Sequence, residues 1–221
     1  MVFDFETSSK SKEKAQILQI GAIAVERNNL RIVGEFNSLM KPERFDEIEQ
    51  EALQVNKLTI PQLEAAPETK IVWKQFTDWV MQYNTSKKPN DPWGNPIPCG
   101  YNINNYDLPI ASRYCREYGP WDSKWDTQKL FHAIHKIDLM DCLFFWFENN
   151  PDLNKLNLVA VLEYMGMDQE AIAGAHDALV DVKNTWAILE KLIRMERFLT
   201  TRDQETKKRR LEMKGCFVTK E

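Results

Sequence analysis

Val2-Phe3-Asp4-Phe5-Glu6-Thr7 opens the chain with strict alternation. Side chains two apart share one face of a β-strand, so Val2, Asp4 and Glu6 point one way and Phe3 and Phe5 the other. Asp4 and Glu6 then stand about 7 Å apart along the backbone, and a cation between their tips takes oxygen from both. Alone the pair says little, because a chain with 33 Asp and Glu holds several such pairs by chance at solvated strand ends.

Two later segments change its weight. Asn102-Ile103-Asn104-Asn105-Tyr106-Asp107 ends a short apolar stretch, and His176-Asp177-Ala178-Leu179-Val180-Asp181 begins another. Carboxylates at the ends of hydrophobic elements are costly unless their charge is offset. A divalent cation with oxygen ligands is the usual offset, and two such cations can cut phosphodiesters. Each residue also has a plainer reading. Asp107 suits the first turn of a helix, where the dipole favours an acid. Asn102 suits a hydrogen bond to neighbouring backbone. His176 and Asp181, five apart, cannot share a helix face. His176 therefore belongs on the lead-in after Gly174-Ala175, with Asp177 as the cap and Asp181 one turn inside.

Outward from β-like residues 2–6, two more β-rich runs cover 17–26 and 31–40, with a hairpin turn at Asn28-Asn29. Residues 45–63 read as one or two short helices interrupted at Pro61. Val72, Phe76, Trp79, Val80 and Tyr83 recur at helical spacing and predict a helix over 69–83. Residues 84–98, rich in Pro and Asn, read as a loop whose Trp93 is a candidate for substrate or partner contact. A short strand at 97–101 and a helix over 107–118 follow, with Pro109 in its first turn and Gly119-Pro120 at its end. Residues 121–135 read as an inserted helix or an ordered loop. A strand at 136–138 leads into a helix through Phe147, and further helices cover 157–165 and 177–198. Phe144-Phe145-Trp146-Phe147 read as mostly core, since consecutive helical residues cannot all face one bound strand. Three antiparallel strands followed by helices alternating with short strands predict an α/β fold, a mixed sheet flanked by helices.

The 221 residues suit one domain with extra length, and 43% hydrophobic residues supply a core. A net charge of −4 gives no global basic field for nucleic acid. Residues 200–221 carry seven Lys/Arg against four Asp/Glu, so that stretch is +3 and the remainder −7. A domain over 1–199 with a basic tail over 200–221 is the expected division. The tail's Lys207-Lys208-Arg209-Arg210 is either a solvated end or a docking element. Cys99, Cys115, Cys142 and Cys216 form no CxxC pair, which argues against a zinc ribbon. With no apolar run of membrane-spanning length and no signal peptide, the expectation is a soluble, cytoplasmic protein with no membrane partner.

Taken together, the three acidic segments resemble the DEDDh (DnaQ-like) family of 3′–5′ exonucleases, of ribonuclease H-like fold. Asp4, Glu6 and Thr7 match its first motif, Gln19-Ile20-Gly21-Ala22 its second strand, Asn102 and Asp107 its middle motif, and Gly174 to Asp181 its last. The resemblance implies a mixed five-stranded sheet and two Mg²⁺ or Mn²⁺ ions. Asp4, Glu6 and Asp181 would hold the first ion, Asp4 would touch the second, and Asp107 would act directly or through water. His176 would be the general base, and Thr7 and Asn102 would contact substrate. It further implies release of 5′-mononucleotides from 3′ ends of single-stranded nucleic acid, with DNA favoured over RNA trimming and a replication or repair polymerase as a candidate partner. Two departures stand out: Ser8-Ser9 and a loop with Lys10, Lys12 and Lys14 replace the family's Gly-Leu, and Tyr101 stands where histidine is common. Rival readings are a nucleic-acid- or polymerase-binding accessory module and an unrelated metal-free α/β domain.

Overall fold

The computed structural model describes residues 1–88, 91–167 and 176–201. Its contacts divide the chain into two units, Met1–Thr185 and Trp186–Glu221. In the first, β1 (Val2–Thr7), β2 (Ile17–Val25) and β3 (Ile32–Leu39) form an antiparallel run. Then come α1 (Gln50–Val55), α2 (Ile60–Glu64) and α3 (Thr69–Met81), followed by the short strand β4 (Cys99–Gly100) and α4 (Asp107–Tyr118). The two-residue strands β5 (Trp121–Asp122) and β6 (Thr127–Gln128) pair with each other. β7 (Ile137–Asp138) leads directly into α5 (Leu139–Phe147), and α6 (Leu158–Tyr164) follows. The last described helix, α7 (Ala178–Thr200), begins in the first unit and supplies the described part of the second, where Arg194 pairs with Glu190 one turn away.

The sheet order is β3-β2-β1-β4-β7, with β4 and β7 parallel to β1, as the mixed-sheet expectation requires. β2 is buried on both faces from Ile17 to Ala24. Phe3 and Phe5 meet Trp73 and Phe76 of α3 and Phe131 beyond β6 in one aromatic core. α4 is stitched to the sheet by the Tyr114 hydroxyl, which accepts the Ile17 N–H at 2.8 Å.

Three expectations need correction. Pro61 does not interrupt a helix; it sits in the first turn of α2, where its missing N–H costs nothing. Residues 121–135 are neither helix nor plain loop, because β5 and β6 make a small hairpin. The aromatic run on α5 is not core: Phe144, Phe145 and Trp146 are 49%, 81% and 59% exposed. Leu139 and Leu143, one turn apart, already fill the buried face of this nine-residue helix, so the intervening positions turn outward. Cys99 and Cys115 are buried free thiols, whereas Cys142 is exposed and Cys216 lies outside the described residues. The basic tail beyond Thr201 and Gly174-Ala175 also lie outside them. Among the described residues no helix is long and apolar enough to cross a membrane.

Candidate metal centre

β1 lies between β2 and β4, so its side chains emerge from the middle of the sheet. Asp4 is half-buried there, and Glu6 is 7% exposed. A bulge between Glu6 and Thr7 breaks the register with β2 just beyond the acids, where bulges commonly re-aim side chains. The third acid arrives from α7. Gly21 of β2 permits this, because a Cβ there would sit 2.5 Å from Ala178 O and Leu179 N. The helix start therefore rests directly on the strand. Asp177 caps the helix, its Oδ1 accepting the N–H groups of Leu179 and Val180 at 3.0 and 3.2 Å. Gln19 Nε2 donates to Asp177 Oδ2 at 3.3 Å and ties this cap back to β2.

In consequence one carboxylate oxygen each of Asp4, Glu6 and Asp181 lie within 4.8 Å of one another. Asp107, the first residue of α4, is 4% exposed, and its Oδ1 accepts the Phe5 N–H at 3.1 Å. It is thus anchored to the same stretch of β1, on a different helix. His176 is exposed with φ 71°, and its N–H donates to Asp181 Oδ2 at 3.0 Å. Asp181 Oδ1 is buried with no hydrogen-bond partner.

Burial raises all four carboxyl groups above the ordinary range, and mutual repulsion adds to it. Asp4 is raised well up, first by desolvation and then by Asp107, Glu6 and Asp181. Glu6 is pushed to about 8 by desolvation and then by Asp181 and Asp107. Desolvation pushes Asp107 to about 7 against the relief of the Phe5 hydrogen bond. Asp181 is raised by desolvation and partly relieved by His176. Crowded acids that resist ionisation, one with an orphaned oxygen, fit a hard divalent cation with oxygen ligands. The donor set suits Mg²⁺ or Mn²⁺ better than zinc.

Thr7 and Asn102 occupy structured turns. Thr7 Oγ1 lies 2.6 Å from the Tyr106 hydroxyl, which also donates to Ser9 O. Asn102 has φ 59°, and its side-chain oxygen accepts from Asn105 Nδ2 at 2.9 Å. Sequence reasoning missed the residue that shapes this turn. Asp138 accepts the N–H groups of Asn102 at 2.8 Å, Asn104 at 2.9 Å and Met140 at 3.1 Å. Its position at the start of α5 announced a cap; its bonds to residues 34 and 36 positions earlier had no local signal. Tyr101 donates to Leu156 O at 2.8 Å and so links β4 to the lead-in of α6. Beside the centre is a cavity of about 300 Å³ bordered by Thr7, Ala52, Val55, Asn56 and Tyr106, with the Lys10–Glu51 ion pair among its walls.

Residues 1–89 match the RNase_T exonuclease family model. No curated protein sequence matches the chain. Exonuclease I of E. coli in complex with a dT13 oligonucleotide superposes with a TM-score of 0.66 and 16% identity, over 92% of this chain and 44% of that one. Cell-death related nuclease 4 (CRN-4) gives 0.66 and 18%, over 88% and 63%. The nuclease domain of 3′hExo, a DEDDh family member bound to rAMP, gives 0.64 and 18%, over 88% and 90%. At such identities the shared property is the fold, and the chain spans under half the length of exonuclease I. The exonuclease model thus covers β1 through α3, and the five-stranded mixed sheet flanked by helices is the fold that this chain shares with these exonucleases.

Proposed function

We propose that this protein is a metal-dependent 3′–5′ exonuclease that releases 5′-mononucleotides from single-stranded DNA. The observation that carries the reading is the convergence of Asp4, Glu6 and Asp181 within 4.8 Å, with Asp181 Oδ1 left unpartnered. In this reading Asp4, Glu6 and Asp181 would hold one Mg²⁺ or Mn²⁺, Asp4 would also touch a second, and Asp107 would act directly or through water. When bound, such cations supply the positive charge that a phosphodiester needs in hydrolysis and make water more acidic. The Phe5 N–H, donating to Asp107 Oδ1 at 3.1 Å, fixes this carboxylate against β1. His176, on the exposed lead-in to α7, takes the proton of the attacking water. The bond between phosphorus and the 3′ oxygen of the penultimate nucleotide breaks, and the terminal residue leaves as a 5′-monophosphate. Thr7 and Asn102 contact the terminal nucleotide.

DNA is favoured because exonuclease I, which matches over 92% of this chain, was captured with dT13. A second reading, RNA trimming, has its own support. The chain covers 90% of the 3′hExo nuclease domain, which holds rAMP, and 80% of a 3′-exonuclease that recognises a histone mRNA stem-loop. A polymerase partner stays a subsidiary proposal, with no interface assigned.

The test is a gel time course on 5′-labelled single-stranded DNA and RNA in Mg²⁺, Mn²⁺ or chelator, with wild type, Asp181→Asn and His176→Ala. A descending ladder in metal, silence in chelator and loss in both variants is expected, and the faster polymer settles the sugar. Cleavage that persists in chelator, or full turnover by Asp181→Asn, overturns the reading.

A further inference from the structure

α1 ends in a way that its sequence does not favour. The helix stops at Asn56, whose N–H donates to Ala52 O at 2.9 Å, and Lys57 then turns into the left-handed region with φ 55°. The Leu58 N–H closes the turn on Leu53 O at 3.1 Å. Leu53 is buried in a cluster with Leu18 and Leu63, and Leu58 packs against it. A helix stop of this kind normally gives its left-handed position to glycine or asparagine, which adopt that backbone at least cost. A long lysine there works against local stability. Among the described residues, four other non-glycine residues have positive φ. Leu30 and Asp126 lie in the β2–β3 and β5–β6 hairpin turns, whereas Asn102 and His176 belong to the segments that carry the metal centre.

The Lys57 turn is tied to that centre as well. Asn56 is buried, and its Nδ2 donates to Thr7 O at 3.0 Å. Thr7 follows Glu6 on β1, so residue 57 is held beside the end of the strand that bears two of the acids. Val55 and Asn56 also line the cavity next to the centre, with Thr7 and Tyr106. The positive charge of Lys57 is felt by Glu6 and Asp181, where it opposes the upward push of desolvation and of neighbouring carboxylates. Lys57 is exposed and so can be reached from solvent.

A fixed cation at this place answers a deficit. The four carboxylates of the centre, once ionised, cancel the charge of two divalent cations. A phosphodiester then brings negative charge, which grows on its phosphoryl oxygens as water attacks, to a site without surplus positive charge. We propose that Lys57 is a phosphate-binding residue whose ammonium meets a non-bridging oxygen of the last phosphodiester. The proposal rests on the nuclease reading for the identity of the strand. Lys57 exchanges no proton; water adds to phosphorus and the 3′ oxygen of the penultimate nucleotide departs. Stability and activity therefore respond to residue 57 in opposite directions.

The experiment compares wild type, Lys57→Asn and Lys57→Arg. Asparagine suits the left-handed backbone and removes the charge, whereas arginine keeps the charge. Lys57→Asn should melt no lower than wild type, with kcat/KM for dT10 in Mg²⁺ roughly tenfold to a hundredfold lower. Lys57→Arg should recover most of that loss. Binding is followed by anisotropy in Ca²⁺, which takes oxygen ligands in a looser geometry than Mg²⁺. The two probes are 5′-labelled dT10 and the same strand with an uncharged methylphosphonate as its 3′-terminal link. Wild type should favour the charged strand. Lys57→Asn should lose roughly tenfold of that preference, and the salt slope of its dT10 affinity should flatten by about 0.7. A lysine that only steadies the acids would weaken both strands equally and reduce the Mg²⁺-induced rise in Tm; either result overturns the proposal. Wild-type kcat/KM in Lys57→Asn overturns it too, and so does a Lys57→Arg no better than Lys57→Asn. Should wild type cleave nothing, the nuclease reading fails by itself. The binding arm then decides Lys57: a reduced preference for the charged link supports its role, and an unaltered one overturns it.

Discussion

Asp181 concentrates the residue-scale physics. Its Oδ1 is buried without a partner, one carboxylate of a group that also repels itself. Asp181→Asn removes one of those charges. In chelator the variant should melt above wild type by scanning calorimetry, while activity in Mg²⁺ falls by more than the ~10–100-fold that outer partners of a metal site cost. The same crowding sets a pH dependence. Glu6 titrates at about 8 and Asp107 at about 7 in the folded chain, against reference values near ~4 in an unfolded one. Between those limits the folded state holds protons that the unfolded state has released, so stability falls as pH rises. The contribution is complete below about pH 4 and gone once both groups ionise above about pH 8. Melting temperature in chelator should therefore drop from pH 5 to pH 8.5, and saturating Mg²⁺ should abolish the drop. The convergence of Asp4, Glu6 and Asp181 was legible because their type and spacing carry a pattern. Asp138 and Tyr106 were not, since their partners lie tens of residues away and alter no local periodicity.

Among elements, the first turn of α7 is the most sensitive. Gly21→Ala puts a methyl group into the backbone of Ala178 and Leu179, which cannot yield as a side chain can. The helix start must lift, carrying Asp181 away from Asp4 and Glu6. Activity should collapse while far-UV circular dichroism stays near wild type; wild-type turnover by this variant would show that the close approach is dispensable. Asp138→Ala strips three N–H groups of their acceptor at the junction of β4, β7 and α5. A loss of about 3 kcal/mol or more in denaturant unfolding is expected, at ~1–3 kcal/mol for each unsatisfied group. The long elements were readable because amphipathic periodicity extends over several turns: α3 and α4 fall within two residues of their expected limits. The β5–β6 hairpin was unreadable because two-residue strands have no period. The α5 aromatics misled because hydrophobicity reports what a side chain prefers, whereas the width of the buried stripe decides what it gets.

For the whole molecule, strand order followed from three antiparallel runs and the β–α alternation after them, and the structure bears out the mixed sheet. A cation bound only by the folded chain should stabilise it by about 2.7 kcal/mol at a hundredfold excess over its Kd. That corresponds to roughly 5–10 °C in Tm for a chain of this size, and its absence in both Mg²⁺ and Mn²⁺ would remove the metal centre. The burial of β2 on both faces, with β1 and β3 paired along its length, has a kinetic side. Its amides need the largest opening before solvent deuterium can reach them, so Leu18 to Ala24 should be the last to exchange. Asp4 and Glu6 thus ride beside the slowest-opening part of the molecule, while Asp181 rides on a helix end that can fray in isolation. Binding of Mg²⁺ should then slow exchange chiefly around residues 178–182 and leave β1 and β2 as they were. A cation held there would act as a clasp between a rigid rail and a looser one, and the exchange rate of that first helical turn would report how often the clasp is open.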